Sequence, residues 1–162
     1  MRNMDDLYRD YFQIVFKYLF CLTHEADLSE ELTQETFYQA LRTYEHFRGD
    51  SKVSTWLCQI AKHLWIKEIE KRNRFVSDPI ETLSVHIPVN ENVEQEVLKN
   101  ESKIEWYRRL QNLDETTREV MYLRLTGELS FREIGDILKK NETWARVTFY
   151  RGKQKLAKEE QP

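Results

Sequence analysis

The residues best suited to chemistry lie near the C-terminus. Arg146, Val147, Tyr150, Arg151 and Lys153 recur at helical spacing inside residues 139–158, which hold seven Lys/Arg against Glu142 alone. An arginine on an exposed helix face can pair with guanine through two hydrogen bonds. Lysines and arginines further along neutralise phosphates without reading sequence. A second basic run, residues 62–74, carries five Lys/Arg against two Glu. With the whole chain at −3, the two runs leave −12 for the remainder. Net charge governs solubility and non-specific binding, whereas a basic stripe is a footprint for phosphate. An acidic chain with two basic stretches is expected to bind DNA weakly on its own.

Other chemistries find little support. Cys21, His24, Cys58 and His63 form a loose Cys-x2-His and Cys-x4-His pattern that could be imagined around zinc, but both cysteines sit in apolar helical stretches, where buried structural thiols are the commoner outcome. A redox sensor needs an exposed thiol of low pKa, and nothing basic is placed to supply one. No pair of carboxylates and no nucleophile with its base stands out in so Glu-rich a chain. The expectation is a protein that is not an enzyme, with no cofactor, no metal and no small-molecule substrate. Two cysteines cannot build a disulfide framework, so a reducing compartment is expected. The first residues lack a basic stretch followed by an apolar one, and the most apolar window, residues 11–22, contains Gln13 and Lys17. A membrane span needs about 20 apolar residues. The expected location is the cytoplasm.

The elements that must position these residues read as all-α. Four Gly and three Pro in 162 residues are too few for a β sandwich or a Rossmann fold. Residues 5–22 place Leu7, Tyr8, Tyr11, Ile14, Val15, Tyr18, Leu19 and Leu22 on one face, with Phe12, Phe16 and Phe20 as a second stripe. A helix apolar on two sides is either buried or offers a partner surface. A second helix is predicted over 29–44, with Leu28, Leu32, Phe37, Ala40, Leu41 and Tyr44 inward and a capping box of Asp27 and Glu30 at its start. A third is predicted over 52–73, with Trp56, Leu57, Ile60, Ala61, Leu64, Trp65 and Ile69 inward. Trp56 and Trp65 are alternatively stacking platforms for a single strand. Residues 76–92, with Pro79 and Pro88 and no helical period, exceed a normal interhelical loop and read as a linker between domains. The predicted arrangement is therefore two small helical domains, 1–75 and 93–162.

The second block is predicted to open with a helix over 93–111. Asp114 then caps a helix that ends at Gly127, and Ser130 with Glu133 forms a capping box for the next. A short turn, 139–141, leads into a last helix, 142–158. Ile134, Ile137 and Leu138 would pack against Ala145, Phe149 and Leu156, turning Arg146, Val147, Tyr150 and Arg151 outward, with Lys153 towards the phosphates. This is the shape of a helix-turn-helix with a basic second helix. From the residues alone, a stand-alone repressor with an N-terminal dimerisation or sensing bundle, and a scaffold that binds only proteins, remain open.

The larger pattern resembles a known family. Residues 27–37 (DLSEELTQETF), Phe47-Arg48-Gly49-Asp50-Ser51, Ser54-Thr55-Trp56-Leu57 and Ile60-Ala61 resemble region 2 of bacterial RNA polymerase sigma factors. Leu113-Asp114, Arg118-Glu119-Val120, residues 129–134 (LSFREI) and Tyr150-Arg151 resemble region 4. The match spans both blocks in order, with only the linker unmatched. With no further domain it is similar to the smallest, extracytoplasmic-function (ECF) group.

The resemblance implies that Asp27, Glu30, Gln34, Glu35 and Phe37 bind core RNA polymerase, at the clamp helices of β′, with further contact to the β subunit. It implies that Arg48, Trp56, Lys62, His63, Lys67 and Arg72 engage the promoter minus-10 element and a flipped base. Arg146, Val147, Tyr150, Arg151 and Lys153 would read the minus-35 element. It also implies an anti-sigma factor, often membrane-anchored, and a monomer when free. Three residues depart from the family pattern: His63 where Asn is common, Trp144 near the start of the last helix, and Gly152 where Ala is usual, at about 0.5–1 kcal/mol in a helix interior.

Overall fold

The computed structural model describes residues 3–47, 49, 52–75 and 108–159, and these form α-helices and one 3-10 turn. The helices are α1 (Met4–Thr23), α2 (Ala26–Thr43), α3 (Val53–Phe75), α4 (Glu115–Leu125), α5 (Phe131–Leu138) and α6 (Glu142–Glu159), with the 3-10 turn Tyr44–His46 after α2. The expected linker 76–92 and most of the expected helix 93–111 lie outside the described residues, as do Arg48, Asp50 and Ser51.

Short-range chemistry sets most helix ends. The Asn3 side chain accepts the Asp6 N–H at 2.8 Å and starts α1, and His24, at φ 59°, ends it by bonding its N–H to Phe20 O. Asp114 caps α4 as expected, accepting from Thr117 N at 3.2 Å. Ser130 and Glu133 form the reciprocal box that opens α5. Asn141 Oδ1 accepts from Trp144 N at 2.6 Å at the start of α6.

Two expected ends differ. Helix α2 begins at Ala26 with Glu25 at the cap position, its side chain making no capping hydrogen bond, so Asp27 lies inside the first turn and no Asp27–Glu30 box forms. Its carboxylate there still meets the positive end of the helix dipole. After α4 the left-handed residue is Glu128, at φ 55°, and not Gly127. A Cβ on Gly127 would sit 2.8 Å from the Leu123 carbonyl oxygen, so glycine serves close approach there.

Helices α1, α2 and α3 pack against one another, and α6 packs against both α4 and α5. The two groups are themselves in contact, α1 against α4 and α3 against α5, and one buried cluster runs from Val15, Tyr18 and Leu19 through Leu57 and Leu64 to Val120, Met121, Leu123 and Ile134. Burying a side chain of this kind contributes about 1.5–3 kcal/mol.

The inward face of α2 is more polar than its sequence pattern predicts. Ser29, Thr33 and Thr36 are fully buried, their hydroxyls donating to Glu25 O, Ser29 O and Leu32 O one turn back. Such back-bonding removes the cost of burying a hydroxyl. Leu41, expected inward, is 55% exposed. On α1, the second stripe is largely inward: Phe12, Phe16 and Phe20 stack at 5.9 and 6.4 Å, and Phe16 and Phe20 are buried. Its alternative as an open partner surface does not hold for those two rings. No helix among the described residues is long and apolar enough to cross a membrane.

Candidate nucleic-acid interface

The helix-turn-helix is built by α5 and α6. Ile134, Ile137, Ala145, Phe149 and Leu156 are buried along the seam between these helices and α4. Gly135 permits the tight turn, because a Cβ there would meet Lys140 O at 2.6 Å, and Lys139 closes α5 at φ 58°.

That packing leaves Arg146, Val147, Tyr150, Arg151 and Lys153 exposed together on α6. Arg146 is held by Glu142 at 2.9 Å and lies 5.5 Å from the Phe131 ring, whose face also meets Arg124 at 4.2 Å. Lys153 Nζ lies 5.7 and 5.9 Å from the rings of Phe149 and Tyr150. The face is thus cationic and partly pre-oriented by aromatic rings. Trp144 is half-buried beneath Lys140, so its bulk is turned partly into the fold. Gly152 is explained by packing: a Cβ would meet Met121 Sδ at 2.8 Å and Thr117 Cγ2 at 2.9 Å, where α6 crosses α4.

On α3, Trp56, His63 and Lys67 fall along one stripe. Trp56 is half-buried and stacks on Phe47 at 4.7 Å, with Tyr44 at 6.1 Å. His63 and Lys67 are exposed. Lys62 is partly buried, its ammonium 3.0 Å from Glu119 Oε2. Arg72 does not join this stripe: nine residues beyond His63, it lies about 180° round the helix, bonded to Glu25 at 3.1 Å and Glu68 at 3.3 Å. Arg48 lies outside the described residues. Trp65, like Trp56 a candidate stacking platform, is buried in the core.

The acidic face is on α2. Asp27, Glu30, Gln34 and Glu35 are exposed, joined by Glu31 and by Tyr38 and Leu41, each 55% exposed. Phe37 is not part of that surface: it is 5% exposed, edge-on to Tyr8 at 5.0 Å, and anchors α2 from below.

Glu119 escaped the sequence pattern. It is 3% exposed, accepts from the Tyr18 hydroxyl and pairs with Lys62. Burial pushes its pKa up, against the opposing pull of Lys62 and the Tyr18 hydrogen bond. Besides its place in the Arg118-Glu119-Val120 match, its sequence signal is its position one helical turn before Tyr122 and Leu123, on the apolar side of α4. The Cys21 and Cys58 thiols are buried and pushed up to about 12 by that burial, which suits inert packing. Among the described residues no three His, Cys, Asp or Glu side chains are grouped to hold a metal ion.

A helix-turn-helix with a basic outer face, packed on a helical bundle with an acidic one, defines a two-unit, all-α, DNA-directed protein. The family model for sigma-70 region 2 matches residues 7–75. The chain is 31% identical over 157 residues to the RNA polymerase sigma factor YlaC of Bacillus subtilis, covering 96% of this chain and 91% of that protein. It is 28% identical over 163 residues to the ECF RNA polymerase sigma factor SigM of the same organism, covering 95% and 93%. Its fold matches the sigma factor RpoE solved in complex with the anti-sigma factor NepR from Bartonella quintana, at a TM-score of 0.73 and 19% identity over 95% of this chain and 94% of that one. The chain belongs to the RNA polymerase sigma factors, in the ECF group, which direct RNA polymerase to promoters.

Proposed function

We propose that the two units divide the work of a sigma factor between them. Residues 1–75 act as region 2 and residues 93–162 as region 4, with 76–92 as the linker. Asp27, Glu30, Gln34 and Glu35 dock on the β′ clamp helices of core RNA polymerase, helped by Tyr38 and Leu41. Trp56, Lys62, His63 and Lys67, with Arg48, meet the minus-10 element. Arg72 contributes there only by releasing its carboxylate partners. Arg146, Val147, Tyr150, Arg151 and Lys153 read the minus-35 element, in contact with the β subunit's side of the enzyme. The protein performs no catalysis, acts in the cytoplasm, is monomeric when free, and is bound by an anti-sigma factor, as the structurally similar RpoE is found in complex with NepR.

The observation that carries this reading is the separation of charge on the surface. An exposed acidic helix face on α2 would repel DNA, so it serves a protein partner, while the cationic face of α6 serves nucleic acid. A stand-alone repressor has no use for the first.

Run-off transcription with purified core RNA polymerase on fragmented host DNA, with and without the protein, tests it. New discrete transcripts that vanish with Arg146→Ala plus Arg151→Ala are expected. Tight, salt-sensitive duplex binding by the protein alone, as a dimer and without transcripts, would support the repressor instead.

A further inference from the structure

We propose that Trp144 and Val147 form an apolar ledge on α6 that selects thymine in the minus-35 element through its C5-methyl group. The inference deepens the minus-35 assignment made above and rests on it.

Trp144 and Val147 are the third and sixth residues of α6, within the first turns that a recognition helix presents to base edges. Residues 144, 147 and 151 lie within about 60° of one another round the helix, so they form one ridge. Arg151 stands exposed at its C-terminal end, and Val147 is 40% exposed. The other side of α6 is held in the core by Ala145, Phe149 and Leu156. Trp144 lies about 100° round from Ala145, between core and reading face, which is why its indole packs against the core yet stays half open. Asn141 accepts its backbone N–H at 2.6 Å, and the Lys140 ammonium lies 5.6 Å from its ring. Arg146 occupies the far flank, about 160° round from Trp144, beside the Phe131 ring at 5.5 Å.

The chemistry of the groove decides what such a pair can select. Base edges in the major groove are hydrogen-bond donors and acceptors, and the thymine methyl is their one apolar group. An arginine set against guanine gains two hydrogen bonds. An indole or a valine set against a polar edge strips its water and returns no bond. Only thymine offers the ledge an apolar match. The reading face of α6 therefore has an arginine flank suited to guanine and an apolar flank suited to thymine.

The test uses the full chain bound to core RNA polymerase and a duplex pool with a random tract, enriched by repeated capture on that holoenzyme. The enriched pool is copied once with dTTP and once with dUTP, which lacks only the methyl. The two copies, differently labelled, then compete in one tube. Capture is expected to favour the thymine copy by about fourfold for each methyl the ledge covers, the value of one buried methylene. Trp144→Ala and Val147→Ala should each lower that preference. Arg146→Ala, on the other flank, should weaken capture of both copies and leave the preference in place. Where Trp144→Ala loses helix content, the exposed Val147→Ala carries the comparison alone. Absence of a thymine preference overturns the proposal, as does a preference that Val147→Ala leaves untouched. An equal loss of both copies together with weaker core binding also overturns it, by assigning the ledge to a protein partner. Weaker capture with Arg146→Ala but no thymine preference keeps the minus-35 assignment and removes the methyl contact. Capture unaltered by every α6 variant removes both.

Discussion

The Lys62 ammonium of α3 and the Glu119 carboxylate of α4, 57 residues apart in the chain, meet at 3.0 Å, with the Tyr18 hydroxyl on the carboxylate's other oxygen. Removing the acid strands a fully buried phenol and a partly buried cation. Glu119→Ala is expected to cost about 1–3 kcal/mol, the desolvation penalty of partners left unpaired. Glu119→Gln should cost less, because an amide oxygen still accepts from Tyr18. Urea midpoints at constant m decide this; equal losses in the two variants would point to packing instead.

Gly152 sits inside a helix, where alanine normally gains about 0.5–1 kcal/mol over glycine. Here the sign reverses, since the new methyl would press on Thr117 Cγ2 and Met121 Sδ, both within 3 Å. Gly152→Ala should lower the melting temperature, and adding Thr117→Ser, which removes the stiff Cγ2, should recover part of the loss. A melting temperature raised by Gly152→Ala alone would show that α6 and α4 separate easily.

Glu133 serves two structures at once, capping α5 with Ser130 and accepting from Thr55 across the seam. Ser130→Ala should cost about 1 kcal/mol, the usual value of a lost cap. Glu133→Ala should cost more, because it also loses the bond to α3. A double-mutant cycle between Glu133→Ala and Thr55→Val should show coupling; strict additivity would mean that the cross-seam bond adds nothing in solution.

Stability should respond to pH in two windows of opposite sign. The Thr117 hydroxyl's hydrogen bond holds the Asp114 carboxyl below its ordinary value. Partial burial pushes Glu133 upward, but hydrogen bonds from Thr55 and Ser130 outweigh it and hold that carboxyl low as well. Their contribution is complete above the ordinary carboxylate range and is lost as pH falls through the depressed values. Burial raises Glu119, faced by Tyr18 of α1, Lys62 of α3 and Glu115 of its own helix. The folded state then holds that proton more tightly, so stability declines as pH rises from the ordinary value through the raised one. Asp114→Asn should flatten the acid limb and Glu119→Gln the upper one. Denaturant midpoints across pH 3–8 test both, and a limb unchanged by its own variant removes that group as its cause.

Cys21 and Cys58, each pushed up to about 12 by burial, should react slowly with a thiol reagent at neutral pH. Their rates should rise together with added urea. Fast labelling of either in the native protein would contradict the packing of α1 against α3.

Much of this was legible in sequence because it depends on neighbours a few residues apart. Apolar residues three and four apart drew α1 and α3, Asp114 and the Ser130–Glu133 pair marked two helix starts, and the spacing of Arg146, Tyr150 and Lys153 put them on one face of α6. The charge pattern separated an acidic helix from a basic one, and the family motifs named the class. What a helix face meets is set by elements tens of residues away, and periodicity carries no record of that. Only the tertiary structure turned Leu41 out, drew Arg72 to Glu25, and buried the hydroxyls of α2. The same holds for Glu119, an ordinary acid in a Glu-rich chain until α1 and α3 close over it, where low local polarity makes its pairing with Tyr18 and Lys62 obligatory.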